Sequence, residues 1–164
     1  MFMGIAMYFE RVSPSRFLPL IDSYDEYRLA QLLSNPCIDE AEEQLQCVCL
    51  DKIWPMLQRT YAHAPSHGEV LATLIDGGTP VLPHRTGIGA PYYFLPTQVQ
   101  EFSILLSAVV EEDFFISLQH ASPGSDEHGE EAHFAEVLVT YHHKMVRFFH
   151  HVAHADEMVV TYQL

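Results

Sequence analysis

Three pairs among the eleven histidines stand at separations that zinc sites use: His63 and His67, His128 and His133, His150 and His154. On a helix His150 and His154 share one face, as two imidazole ligands must. The pattern stops there. The chain has no His-Glu-x-x-His and no Cys-x-x-Cys, and neighbours such as His142 and His143 diverge on a helix. No metal site is expected. Covalent catalysis lacks an anchor too: no Gly-x-Ser-x-Gly occurs, and Cys37 has no basic neighbour to lower its pKa. Cys37, Cys47 and Cys49 make an odd count, read as reduced thiols of a cytoplasmic protein. No catalytic residue is assigned.

Two constellations remain. The first is a candidate pocket of Trp54, His84, Arg85, Tyr92 and Tyr93, the last four lying in or beside the Gly/Pro-rich segment 76–91. A cation and aromatic groups among glycines are parts for an anion or peptide site. Gly87-Ile88-Gly89 lacks a third glycine at the spacing a dinucleotide loop needs, and no Gly-Lys-Ser/Thr exists, so no nucleotide cofactor is expected. The bland alternative is that Trp54 packs a helix onto a sheet and the loop is merely structural. The second constellation is acidic: residues 39–43, then Glu111, Glu112 and Asp113, then Asp126, Glu127, Glu130 and Glu131. Its bland alternative is a solvated face.

Charge favours the acidic reading. Eight Lys and Arg stand against 22 Asp and Glu, giving a formal charge of −14. Nucleic-acid backbones repel such a chain, and a polybasic membrane contact is ruled out. The field attracts a protein partner with a basic surface and speeds its capture.

These groups need a scaffold, and 164 residues with 48% hydrophobic content suffice for one domain, 1–164, around one core. Alternation over residues 4–12 reads as a strand. Ser13-Pro14 opens a helix that Pro19 limits or kinks, and Tyr24–Leu33 continues helically. Cys47–Leu50 is β-like; Asp51 caps a helix through Trp54 and Leu57, with Pro55 in its first turn. A short helix over Glu69–Ile75 ends at Gly77-Gly78. Tyr92–Leu95 is strand-like. Pro96-Thr97 opens a helix with Thr97 and Gln100 as a capping box and Val99, Phe102 and Leu106 on its buried face. Glu111–His120 reads as a short helix, Ser122–Glu131 as a linker, and His133 to about Ala155 as a long helix. Met158–Tyr162 is a β-branched terminal strand that needs a partner. The N-terminus is apolar but lacks a basic n-region and a cleavage site. No apolar run reaches the ~18 residues of a membrane span. The fold class is α/β, or α+β, with one mixed sheet covered by helices and strands at both ends.

Several segments carry a family resemblance. Met3 through Glu10 leading to Ser13-Pro14, Leu50-Asp51-Lys52-Ile53-Trp54 with Leu57, Gly77-Gly78-Thr79-Pro80, and Tyr93-Phe94-Leu95-Pro96-Thr97 together resemble the YfbM-like family. The resemblance spans nearly the whole chain. It implies an α/β domain of unknown function and brings no established catalytic residues. The chain departs from that pattern in the His- and Glu-rich segment 120–133, at Pro55, and at His84-Arg85. The expectation is a cytoplasmic, non-catalytic binding protein without cofactor. Its concrete form is an immunity-type protein that masks a basic toxin or effector domain. The alternative is a small-molecule binder or enzyme using the loop around His84 and Arg85.

Overall fold

The apolar strands at the two ends of the chain need partners, and in the computed structural model they pair with each other. The structure describes residues 6–33, 45–64, 67–82, 90–112, 115–116 and 128–163, with side chains from 133 onward in the last stretch. Strand β1 (Met7–Val12) runs antiparallel to β5 (Met158–Gln163), from Met7 opposite Gln163 to Val12 opposite Met158. Short β2 (Cys47–Cys49) covers only Tyr8–Glu10 on the other edge of β1. β4 (Tyr92–Phe94) pairs with β5, and β3 (Thr79–Pro80) with β4, giving the order β2-β1-β5-β4-β3. The single sheet and the α/β class follow the sequence reading. The described pairings are all antiparallel, however, where a mixed sheet was expected.

Strand alternation sends side chains to two layers. Met7 and Phe9 of β1, Val159 of β5 and Phe94 of β4 enter the larger core, against α3 (Trp54–Ala62), α4 (Gly68–Asp76), α5 (Pro96–Ala108) and α6 (His128–His154). Val12, Met158, Val160 and Tyr162 enter the smaller one, against Phe17 of α1 (Pro14–Asp22) and Leu29 of α2 (Glu26–Leu32). Helices on both faces bury the sheet between two layers. Phe148 and Phe149 of α6 are fully buried and meet edge to face at 5.5 Å, a favoured aromatic geometry.

Several local expectations change. Ser13 is extended before Pro14 as foreseen, yet its hydroxyl contacts Ser15 Oγ at 2.9 Å and caps nothing. α1 continues past Pro19 to Asp22. Asp51 makes no side-chain cap; it enters a 3-10 turn (Asp51–Ile53) with φ of 44°. Pro55 does sit in the first turn of α3, where a missing amide costs least. At α5 the capping contact comes from Gln98, whose Oε1 accepts the Leu95 N–H at 2.9 Å, not from Thr97 with Gln100. α6 begins at His128, inside the stretch read as a linker. Cys47 is disulfide-bonded to a partner outside the described residues, and Cys49 is a free thiol, so the expectation of three reduced cysteines does not hold. Among the described residues no helix is long and apolar enough to cross a membrane.

Candidate functional site

The acidic constellation is described at Glu111 and Glu112, which follow α5 and are both exposed. Asp113, Asp126 and Glu127 lie outside the described residues, as do the side chains of Glu130 and Glu131. The segment does not stand alone in solvent. Glu111 Oε1 lies 3.4 Å from His143 Nε2 on α6, which ties the segment to that helix. Apolar side chains near the two acids in sequence are exposed: Ile104 at 70%, Val110 at 53%, Ile116 at 48% and Phe115 at 40%. Charged and apolar side chains are thus exposed together along this stretch of sequence.

The candidate pocket fares differently. His84 and Arg85 lie outside the described residues. Trp54 is partly buried and packs against the larger core. Tyr93 packs on the opposite face of the sheet, where its ring meets Phe17 edge to face at 5.9 Å. Tyr92 precedes it on β4 and is half-buried. The sheet therefore lies between Trp54 and Tyr93.

The histidines scatter by environment. Among the described residues, no group of three or more His, Cys, Asp or Glu is placed to hold a metal ion. His150 and His154 are exposed on α6. His142 is buried, and its Nδ1 lies 2.9 Å from the Tyr61 hydroxyl. The ring also hydrogen-bonds the Val109 backbone. A neutral ring whose N–H meets that backbone leaves Nδ1 to accept the Tyr61 proton. Burial, reinforced by the neighbouring His143, lowers the His142 pKa to about 4, and burial pushes the Tyr61 hydroxyl up. This pair is a core contact closed to solvent.

A third assembly escaped the sequence reading. β2 stops opposite Glu10, and among the described residues no strand pairs with that edge of β1 from Arg11 onward. A cleft of about 680 Å³ forms there between β1, α1 and α2, and Arg11, Arg16 and Arg28 all line it. Arg11 is anchored: Nε donates to Glu157, and Nη1 donates to His151 Nε2 at 2.7 Å. Arg28 faces Asp25 at 3.5 Å near the surface. Glu10, also at the cleft, accepts the Tyr162 hydroxyl proton at 3.0 Å. Burial raises its pKa, and the Tyr162 hydrogen bond opposes that rise. The three arginines come from three separate elements, so no spacing rule connects them. The available signal was compositional: three of the chain's eight cations fall within residues 11–28.

The comparisons agree with this architecture. No curated protein matches the chain. The crystal structure of YfbM from Escherichia coli, a protein of unknown function, superposes with a TM-score of 0.65 at 15% identity, covering 97% of this chain and 99% of that one. At that identity the likeness concerns the fold. Residues 3–162 match the model of a domain of unknown function, DUF1877. The match takes in the β1 strand with its Ser13-Pro14 helix entry, the Trp54 helix, the Gly77-Gly78 turn and the closing strand, and by it the chain belongs to the DUF1877 family.

Proposed function

We propose that this chain is an acidic binding protein, in its concrete form an immunity-type protein that binds and sterically neutralises a basic toxin or effector domain. One observation carries the reading. Between residues 104 and 116, exposed Ile104, Val110, Phe115 and Ile116 flank exposed Glu111 and Glu112 in sequence, in a chain of charge −14. An acidic rim steers a basic surface into contact, and apolar anchors hold what arrives. Neutralisation needs no catalysis: covering a basic cleft excludes its substrate. Asp113 and the acids at 126–131 extend the same charge along the sequence.

The test uses the tagged chain as bait in its native host, at low and high salt, followed by calorimetric titration of the purified partner. A saturable 1:1 complex with a basic protein, inhibition of that protein's activity, and at least 10-fold weaker binding after Glu111→Lys with Glu112→Lys support the proposal. A partner whose activity survives saturation, or binding indifferent to the charge reversals, overturns it. So does the absence of saturable binding at either salt.

A further inference from the structure

The arginine-lined cleft lies beside α1 and α2, away from the acidic segment that follows α5, and calls for its own account. Its charges are uneven. Glu157 is already engaged by the Arg11 guanidinium. Glu10 is half-buried and held by the Tyr162 hydroxyl, and its burial favours the neutral carboxyl. The Arg28–Asp25 pair is exposed, at 70% and 34%, where such pairs contribute little. Among the described residues the Arg16 side chain has no ion pair or hydrogen bond. Among the described residues that line the cleft, three arginines stand with two carboxylates, Glu10 and Glu157, a positive excess in a chain of charge −14.

We propose that this cleft binds a phosphate monoester of a small polyhydroxylated metabolite. Arg16 and Arg28 grip the phosphate, and Arg11, fixed by Glu157 and His151, supplies the immobile side of the site. Guanidinium forks match tetrahedral oxyanions with paired hydrogen bonds, and a partly enclosed site screens them less than open water does. The size of the cleft, about 680 Å³, exceeds what a lone phosphate fills and falls in the range of small-molecule sites. Gln46 and Glu10 border the same space with an amide and a carboxyl, groups suited to the hydroxyls of the rest of the ligand. Arg11 itself is a positioning element as much as a contact, because its Nε and Nη1 are already committed within the protein.

The test is calorimetric titration of the whole protein with ribose 5-phosphate and with inorganic phosphate, at pH 7 and low ionic strength. Saturable 1:1 binding of ribose 5-phosphate, at least 10-fold tighter than inorganic phosphate, is expected. Arg16→Ala and Arg28→Ala each weaken it 10-fold or more, while exposed Arg59→Ala outside the cleft leaves it unchanged. Both cleft positions are exposed, so the variants melt like the parent. Arg16→Lys, which keeps the charge but loses the fork, falls between parent and alanine. Failure of ribose 5-phosphate to saturate overturns the site. Equal affinity for the two probes overturns the polyhydroxylated half of the ligand. A loss in Arg59→Ala as large as in Arg16→Ala reduces the effect to general charge and overturns the assignment.

Discussion

At the scale of single residues, His142 and His143 show how little adjacency says about environment. His143 is exposed and faces Glu111, whereas His142 is buried with Tyr61. Helical geometry made the divergence legible; the Tyr61 partner, from a different helix, was not. Burial holds the His142 pKa near 4, against 6.5 for a free histidine. The unfolded chain thus binds this proton over a range where the folded chain refuses it, so stability falls as pH drops from 6.5 towards 4 and is unaffected by this group above. The gap corresponds to about 3 kcal/mol at most. Urea unfolding at pH 7.5 and pH 4.5 measures it. His142→Asn keeps an acceptor near Nδ1 and takes up no proton, and it loses less stability between the two pH values than the parent does. An identical drop in both proteins would assign the acid sensitivity elsewhere. Tyr61→Phe strands the Nδ1 lone pair in the core, and about 1–2 kcal/mol of destabilisation at pH 7.5 is the expected result.

At the scale of elements, helix entries and strand alternation were readable because they depend on near neighbours. Pro14, Pro55 and Pro96 each stand in the first turn of their helices, where proline is tolerated. Pairings depend on distant residues, and there the reading thinned. The two-residue strand β3 and the buried Val81 and Leu82 fell inside what looked like one long loop. The turn after α4 combines both levels. Gly77-Gly78 reads as a helix stop, and α4 does end at Asp76, but the two glycines act differently. A Cβ on Gly77 would lie 2.5 Å from the Thr73 carbonyl oxygen, so close approach requires that glycine. Gly78 has φ of 102°, and a Cβ there would lie 3.1 Å from the Tyr93 carbonyl oxygen and 3.2 Å from Phe94 Cε1. Gly78→Ala is therefore expected to cost about 1–3 kcal/mol through backbone strain. Thermal melting checks this, and a neutral result would mean the turn relaxes without disturbing β4.

At the scale of the whole molecule, a charge of −14 acts on stability and on association in opposite directions. Like charges spread over one small surface repel, which weakens the folded state. Salt relieves that repulsion, because the screening length shrinks from about 30 Å at 0.01 M to about 3 Å at 1 M. Raising NaCl over this range at pH 8, where His142 is neutral, should raise Tm by roughly 3–6 °C, equivalent to about 1–2 kcal/mol for a chain of this length. The same salt should weaken capture of a basic partner by the 104–116 face. A single titration series can read both signs: differential calorimetry for the free chain, and titration of the complex. The fold itself explains why the acids sit where they do only in part. Strand and helix patterns demand polar exposed positions, and uncharged residues would meet that demand without repulsion. The proposed binding role would give such a stability-costing excess of carboxylates a use. If Tm is flat with salt, the acids are too dispersed to repel one another. Steering would then rest on Glu111 and Glu112 locally, where their charge reversals test it without the rest of the field.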